Sequence, residues 1–270
     1  MRTASSCLVA LDIDGTLVDF DGALTDPVRD AVASVADAGH HVVIATGRSI
    51  SATTPILDRL GLSRGFAVCS NGAVTLALDP QTPLGYSVAE AVTFDPAPAV
   101  TVLRAAWPTA LIAVEELRDE QASFKVSAVF PDAELMSQRV VGPEELVSEP
   151  TTRVTFYAPQ GTSDDVLHLA ERIGLHGVSY AIGYSAWLDI APEGVSKASA
   201  LELIRRRLGV EPALTVAVGD QRNDIEMLRW AARGVAMGNA PQEVQDVADE
   251  VADTVDSNGL VPVMSSLLAQ

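Results

Sequence analysis

Cysteine, basic side chains and long apolar runs are all scarce in this chain of 270 residues. Two cysteines are too few for a disulfide framework, so we expect a reduced protein of the cytoplasm. No apolar run reaches the ~18 residues that a membrane-spanning helix needs. The apolar run from Cys7 to Leu11 is interrupted at once by Asp12, unlike that of a secretory leader. The sequence therefore predicts no membrane partner.

The charge balance is strongly acidic, with 18 basic against 36 acidic residues and a formal net charge of −18. Nucleic acid is bound through clustered lysine and arginine side chains, so this balance argues against a nucleic-acid partner. Taken alone, it also argues against an anionic substrate. Apolar residues nevertheless make up 48% of the chain, which provides a sizeable core and excludes a disordered acidic protein.

Apolar runs typical of buried strands alternate with helical patterns in the N-terminal part of the chain. A buried strand is predicted within residues 8–15, with a turn at its carboxyl end, and further strands over 41–45 and 66–69. Helices are predicted over 50–60 and from Pro27, after a cap at Thr25 or Asp26, to the stop at Gly39. The alternation returns near residue 190, with a helix capped by Ser196, a buried strand over 214–218, a helix over 223–232 and a strand over 235–237. This order predicts an α/β fold with a doubly wound, mostly parallel, Rossmann-like sheet.

Between these two parts, prolines separate shorter elements. Strand candidates lie at 111–117, 124–130, 153–158 and 179–184, and helical patterns at 99–107 and 164–173. Strands that follow one another along the chain favour an antiparallel sheet in an inserted α+β unit. We therefore predict a discontinuous core of residues 1–80 and 190–270, interrupted by a cap of residues 81–189.

Polar residues follow the predicted core strands, at the sheet edge where open α/β folds bind ligands. Asp12 and Asp14 follow the first strand, and such a carboxylate pair could supply a nucleophile, an acid/base group or ligands for a hard cation. A plain turn at Gly15 is the alternative. Thr46 and Gly47 follow the second strand and precede a helix, an arrangement that can bind an anion. On its own it is more typical of a turn with a capping threonine, and the other motifs are needed to favour the anion site.

Two further polar groups lie in the C-terminal part. Lys197 is one of only two lysines and begins a helix, where its compact charge suits a phosphoryl oxygen; an exposed lysine is the alternative. Asp220, Asn223 and Asp224 follow the strand over 214–218. The helix dipole explains a carboxylate at Asp224 as well as a metal role does. Taken together, the clusters predict one oxygen-rich site suited to Mg2+ and phosphoryl transfer.

The order of these motifs resembles that of the haloacid dehalogenase superfamily, in its Cof-type branch with a type IIB cap. The resemblance covers essentially the whole chain. The motifs that carry it are Asp12-Ile13-Asp14-Gly15-Thr16-Leu17, Thr46-Gly47-Arg48, Ser70-Asn71-Gly72, Lys197, Gly219-Asp220-x-x-Asn223-Asp224, Met237-Gly238-Asn239-Ala240 and Ser257-Asn258-Gly259. It implies a catalytic core with an inserted cap that selects the substrate.

The resemblance implies a Mg2+-dependent phosphatase that acts on a small phosphorylated metabolite, with sugar phosphates among the candidates. Asp12 would be the nucleophile that forms an aspartyl-phosphate. Asp14 would protonate the leaving alcohol and then activate water. The remaining implied roles are metal binding by Asp12, Asp220 and the main-chain carbonyl of Asp14, phosphoryl binding by Thr46, Gly47, Lys197 and Asn223, and support of the metal or of Lys197 by Asp224.

Two other functions stay open from the sequence. One is a mutase that passes the phosphoryl group to another sugar, and the other is a regulator that binds a phosphometabolite without turnover. The complete set of Asp12, Asp14, Lys197 and Asp220 argues against the regulator. The net charge does not exclude a small phosphate, since Mg2+, Lys197 and backbone amides would reverse the local sign. The oligomeric state and the selecting cap residues are not indicated.

Overall fold

The computed structural model describes residues 6–131, 137–173, 178–182 and 186–269. The strands in these ranges are β1 (Leu8–Leu11), β2 (His41–Ala45), β3 (Gly65–Cys69), β4 (Val74–Leu78), β5 (Tyr86–Ala91), β6 (Leu111–Arg118), β7 (Gln121–Val126), β8 (Gln138–Val140), β9 (Val154–Tyr157), β10 (Val178–Ile182), β11 (Trp187–Pro192), β12 (Thr215–Gly219), β13 (Arg233–Ala236) and β14 (Glu250–Val251). The α-helices are α1 (Asp26–Asp37), α2 (Ile50–Leu60), α3 (Ala97–Ala106), α4 (Pro143–Leu146), α5 (Ser163–Ile173), α6 (Lys197–Leu208), α7 (Ile225–Trp230), α8 (Gln242–Gln245) and α9 (Leu260–Leu267).

The larger of two sheets has eight strands in the order β14-β13-β12-β1-β2-β3-β4-β5. Strand β1 lies at its centre, because Leu8 pairs with Thr215 of β12 on one side and with His41 of β2 on the other. All pairings are parallel except those of β4, which runs antiparallel to β3 and β5. The predicted mostly parallel α/β sheet is therefore confirmed.

Helices cover both faces of this sheet, as its strand β1 shows. Val9 and Leu11 pack in one apolar cluster with side chains of α1 and α9. Leu8 and Ala10 point to the other face and pack with side chains of α6 and α7. Alternate residues of one strand thus enter two cores, which is the arrangement of a doubly wound fold. No helix in the described ranges combines the length and apolarity needed to span a bilayer.

The helices that lead into the sheet edge begin where their capping residues predict. The Thr25 hydroxyl accepts the Val28 amide at 3.4 Å at the start of α1. Ser196 and Ser199 form a reciprocal capping box at the start of α6. That helix ends at Gly209, whose φ of 68° is the left-handed conformation that glycine adopts at low cost. The cap at Ser196 fixes Lys197 as the first residue of α6.

The smaller sheet has six strands in the order β10-β11-β9-β6-β7-β8 and is antiparallel except between β7 and β8. Helices α3 and α5 pack on one face of it, around Leu103, Phe156 and Leu188. The chain passes between the two sheets at residues 92–96 and 193–196. The predicted division at residue 80 instead falls within the large sheet, since β4 and β5 form a hairpin that extends its edge.

Several predicted element bounds differ from the structure. The strand predicted over 124–130 is β7, which ends at Val126 and begins earlier, at Gln121, where it pairs with Arg118 of β6. The strand predicted over 179–184 is β10, and its last two residues lie outside the described ranges. The helix predicted over 223–232 begins as a 3-10 turn and continues as α7, ending where Ala231 becomes extended with a ψ of 149°.

Candidate active site

The loops after β1 and β12 and the start of α6 meet at the carboxyl edge of the large sheet. There Lys197 Nζ lies 2.6 Å from Asp12 Oδ1 and 2.6 Å from Asp224 Oδ1. The Asp12 amide donates to the Val218 carbonyl at 3.0 Å, which joins the two strand ends. All three charged side chains are buried. The structure thus brings together the predicted nucleophile, the predicted lysine and a predicted metal-site carboxylate.

Three buried carboxylates form an acidic cluster around this lysine. Oxygen atoms of Asp12, Asp220 and Asp224 all lie within 4.8 Å of one another. Asp220 Oδ2 accepts hydrogen bonds from Gln221 Nε2 and Asn239 Nδ2, each at 3.0 Å. One lysine cannot balance three carboxylates, and oxygen is the donor that hard divalent cations prefer. The donor set therefore fits a cation such as Mg2+.

Asp224 also supports the loop in which the cluster lies. Its Oδ2 accepts the amides of Asp220 and Gln221, each at 2.9 Å, while its Oδ1 accepts from Lys197. Backbone amides and an ammonium group are the donors that a carboxylate at the start of a helical turn attracts. Asp224 thus supports the turn and is also a member of the acidic cluster.

Burial and charge act in opposite directions on the two paired groups. Burial, followed by the negative charge of Asp224, raises the pKa of Asp12 well above its usual range, while Lys197 opposes the shift. Burial alone would lower the pKa of Lys197, but the carboxylates of Asp12 and Asp224 outweigh it and raise that pKa. Lys197 is therefore charged at neutral pH. An additional cation beside Asp12 would favour its ionised, nucleophilic form.

Gly15 allows the loop after β1 to approach this cluster. Its φ is +76°, and a Cβ atom at this position would lie 2.1 Å from Asp220 Oδ2. Asn239 Nδ2 also joins this loop to Asp220, since it donates to the Gly15 carbonyl at 2.9 Å and to the Asp220 carboxylate. Only glycine leaves space for the Asp220 carboxylate at this separation.

The loops after β2 and β3, residues 46–48 and Ser70–Gly72, lie against each other and are called the paired loops below. The Asn71 amide donates to the Thr46 carbonyl at 3.0 Å. The buried Thr46 hydroxyl accepts the Arg48 amide at 3.1 Å, so its own proton remains available for an anion. Asn223 Nδ2 donates to Asn71 Oδ1 at 2.9 Å, and a Cβ at Gly47 would lie 3.1 Å from that same oxygen.

Asp14 lies outside the acidic cluster. Its carboxylate is paired with the guanidinium of Arg48, with 2.9 Å between Arg48 Nε and Asp14 Oδ2 and a second hydrogen bond from Nη2. The side chain is 41% exposed, in contrast to the buried Asp12. An exposed carboxylate suits exchange of protons with a leaving group and water. Metal binding through the Asp14 main-chain carbonyl stays a prediction.

Three residues of the quoted motifs have contacts in the site, although no individual role is predicted for them above. Arg48 holds Asp14, Asn71 joins the paired loops to Asn223, and Asn239 joins Gly15 to Asp220. Each lies beyond the end of a strand of the large sheet, as do the predicted site residues. Their position at strand ends was therefore the signal that could have identified them.

A sequence profile of the haloacid dehalogenase-like hydrolases matches residues 9–87 and 138–264. The chain therefore belongs to this family, as the motifs predict, and the expectation of an enzyme is confirmed. The unmatched stretch between the two segments includes α3, β6 and β7, whereas β8 to β11 of the smaller sheet lie within the second segment. The family match thus covers most of the core and the later part of the insert.

Known relatives of this chain are phosphatases. The HMP-PP phosphatase of Serratia proteamaculans is 28% identical, over 90% of this chain and 88% of its own length. The structure of the phosphatase BT1666 from Bacteroides thetaiotaomicron is 30% identical, with a TM-score of 0.77 over 97% of this chain and 95% of that one. BT4131, a subclass IIB sugar phosphatase, has the same fold at 24% identity, with a TM-score of 0.78 over 97% and 98% of the two chains.

Proposed function

We propose that this protein hydrolyses phosphomonoesters of small metabolites, with Asp12 as the nucleophile and Mg2+ as the cofactor. The observation that carries the proposal is the buried Asp12 carboxylate, held by Lys197 at 2.6 Å within a cluster of oxygen ligands. The relatives named above, which are phosphatases, support it. Mg2+ bound by Asp12 and Asp220 would offset the negative charges of the carboxylates and of the phosphoryl oxygens.

In the first half-reaction, an Asp12 oxygen attacks phosphorus and forms an aspartyl-phosphate. The bond from phosphorus to the ester oxygen breaks, and its electron pair goes to that oxygen. Asp14, in its protonated form, donates a proton to the departing alkoxide. Lys197 holds the attacking carboxylate in one orientation and neutralises charge, because its ammonium group contacts Asp12 directly.

In the second half-reaction, Asp14 takes a proton from water. The water oxygen attacks phosphorus, the bond to Asp12 breaks, and inorganic phosphate leaves a free carboxylate. Arg48 orients Asp14 through two hydrogen bonds during both proton transfers. The Thr46 hydroxyl, which accepts the Arg48 amide, and the Asn223 side-chain amide would donate hydrogen bonds to the phosphoryl oxygens.

The test is release of inorganic phosphate from sugar phosphates, nucleotides and cofactor phosphates, with Mg2+ and with EDTA. We expect Mg2+-dependent hydrolysis by the wild-type chain. Replacing Asp12 by Asn should lower kcat for every substrate by about ten-thousand-fold or more, because the nucleophile is lost. Melting temperature should not fall, since the amide removes a negative charge that burial disfavours.

The matched control is Asp37→Asn, on the exposed end of α1, which should leave both properties unchanged. Hydrolysis by Asp12→Asn at the wild-type rate would contradict the nucleophile. Conversion of one sugar phosphate into an isomer with little free phosphate would instead indicate a mutase. Binding of substrates without any turnover by the wild-type chain would indicate a regulator.

A further inference from the structure

Two buried, oppositely charged residues of the smaller sheet face the paired loops. Glu115 belongs to β6, and Arg153 directly precedes β9. The Glu115 amide donates to the Arg153 carbonyl at 2.9 Å, so the two residues are neighbours across the strands. Their side chains are 1% and 4% exposed, and Arg153 Nη2 lies 3.5 Å from Glu115 Oε1. Neither residue has a part in the reaction proposed above.

Glu115 contacts the second of the paired loops. The Ser70 hydroxyl lies 3.0 Å from Glu115 Oε1 and 2.8 Å from Oε2, and it can donate its proton to either. The Thr152 hydroxyl donates to Oε2 at 2.9 Å from within the cap. Ser70 and the adjacent Asn71 both have positive φ, of 49° and 54°. Such residues keep this conformation when their surroundings hold them there, and the Glu115 carboxylate is the partner on the cap side.

Arg153 contacts the first of the paired loops. Its Nη1 donates to the Gly47 carbonyl at 2.7 Å. Its guanidinium lies over the ring of Phe124, 5.2 Å from the centroid, and Nη1 is also 3.6 Å from Asp189 Oδ2. A guanidinium fixed by a ring and by two carboxylates has little freedom, so the Gly47 carbonyl is held in one place.

The two contacts act on one unit, because the paired loops are bonded to each other. The Ser70 amide donates to the Arg48 carbonyl at 2.8 Å, and the Asn71 amide to the Thr46 carbonyl at 3.0 Å. Moving either loop would therefore move Thr46, Gly47 and Asn71 together. A buried ion pair contributes little net stability, because desolvation offsets its attraction, so position is the better account of its effect.

We propose that Glu115 and Arg153 are positioning residues that hold the paired loops, from the cap side, in the geometry that receives the phosphoryl group. The proposal rests on the phosphatase function proposed above. It makes phosphate binding in the core depend on two side chains of the cap. Removing either should therefore weaken binding of the phosphoryl group itself, whatever the leaving group.

The test compares Glu115→Gln, Arg153→Met and Arg153→Lys with the wild-type enzyme, using p-nitrophenyl phosphate with Mg2+. We expect KM and the inhibition constant of inorganic phosphate to rise about tenfold in Arg153→Met and less in Glu115→Gln, with a smaller change in kcat. Arg153→Lys should regain part of the loss, since an ammonium can reach one partner but cannot form the same fork. The control is Arg139→Met, which removes an exposed ion pair with Glu145 within the cap and should change neither constant.

A double-mutant cycle between Glu115→Gln and Ser70→Ala separates positioning from plain stabilisation. We expect the two losses of phosphate affinity to be less than additive, because both remove the same contact. Ser70→Ala removes only a hydroxyl, so it tests the contact even where a charge variant does not fold. Lower melting temperatures with unchanged KM and inhibition constants would overturn the proposal. Lack of hydrolysis by the wild-type chain would instead contradict the proposed function.

Discussion

The core and the cap differ in where their charged side chains lie on the strands. In the core, Asp12, Asp14 and Asp220 lie just beyond the ends of β1 and β12, in loops that meet at one edge. In the cap, Glu115 and Asp189 lie within β6 and β11, on the face of the sheet. Charges at strand ends follow an apolar run and can be identified from one segment of sequence. Charges on a sheet face acquire partners only through the strand register, which one segment does not reveal.

This difference also separates the expected effects of mutation. The core residues contact the groups that react, so their loss should lower kcat for every substrate. The cap residues lie beside the paired loops and beside the aromatic cluster of Phe130, Tyr157 and Trp187. Loss of a cap residue should act mainly through binding. For Glu115 and Arg153 the weakened contact is with the phosphoryl group, and for Asp189 it is with the leaving group. Each prediction below can contradict or refine that distinction.

The largest of these effects is expected at Asp14, in the core. Asp14→Asn should lower kcat by about a hundredfold to ten-thousand-fold for all substrates, because the amide can neither donate the proton nor accept one from water. The fall should be smallest for p-nitrophenyl phosphate, whose leaving group needs no proton. Steady-state rates across a series of leaving groups of different pKa measure this.

The matched control is Asp30→Asn, which breaks a similar pair with Arg29 on the exposed face of α1. It should leave the rates unchanged. A loss in Asp14→Asn that is independent of the leaving-group pKa would show that Asp14 does not act as the acid. The role of Asp14 would then be to orient Arg48, with which it is paired.

Much of the core could be predicted from sequence, because its signals are local. The buried run at β1, the Thr25 cap of α1 and the Ser196 cap of α6 each lie within a few residues. Predicting that Lys197 lies beside Asp12 also required the order of the motifs along the chain. The pair spans 185 positions along the chain, and parallel strands bring both residues to one edge.

The features of the fold that could not be predicted depend on how strands pair and on contacts between distant residues. The turn between β6 and β7 consists of Asp119 and Glu120, both with positive φ, where glycine or asparagine would have given a signal. The early start of β7 was therefore missed. Likewise β4 and β5 extend the core sheet as a hairpin, which the division at residue 80 did not anticipate. The contact of Arg153 with Gly47 spans 106 positions and has no local pattern.

A second core prediction concerns the close approach at Gly15. Gly15→Ala should push the Asp220 carboxylate away, because the new Cβ would lie 2.1 Å from it. We expect the Mg2+ concentration for half-maximal activity to rise about tenfold to a hundredfold. Titration of activity with Mg2+ measures the change, and this change should be the same for all substrates.

Gly22→Ala controls for backbone strain in this experiment. Gly22 has a φ of +81°, close to that of Gly15, but no atom lies within 4 Å of its Cβ position. Both variants should lose stability, and only Gly15→Ala should need more Mg2+. Equal Mg2+ requirements in the two variants would mean that Asp220 is not a ligand of the metal.

The corresponding cap prediction is made at Asp189. Its Oδ1 accepts Thr155 Oγ1 at 2.6 Å and Trp187 Nε1 at 3.2 Å, so it fixes polar and aromatic side chains on one face of the sheet. Asp189→Asn should lower kcat/KM by about tenfold for some substrates and little for others, because these side chains would face different leaving groups. Competition between pairs of substrates measures the discrimination.

The control for this experiment is Asp164→Asn, in the exposed first turn of α5. It should leave the discrimination unchanged. A uniform loss over the whole panel in Asp189→Asn would contradict a role for Asp189 in discriminating between leaving groups. It would place Asp189 with the residues that hold the paired loops, through its neighbour Arg153.

The smallest effect is expected at a charge network of the core that joins α6 and α7. Glu202 on α6 accepts hydrogen bonds from Arg205, Arg206 and, at 3.1 Å, Trp230 Nε1. These contacts, that of Arg205 first, lower the pKa of Glu202 below its usual range. A lowered carboxylate pKa stabilises the folded state at neutral pH, and the contribution is lost as the pH falls.

Glu202→Gln should therefore reduce the free energy of unfolding by about 1 kcal/mol at pH 7, with kcat and KM unchanged. The difference from the wild type should narrow below about pH 4, where the unfolded chain's glutamates become protonated. Thermal unfolding from pH 7 downward measures it, with Glu226→Gln on the exposed side of α7 as the control. A difference that is constant over this range would mean that Glu202 acts through packing. A change in KM would mean that loss of the Glu202 contacts also displaces Lys197, at the first turn of the same helix. The effects of core charges on stability and on catalysis would then not be independent.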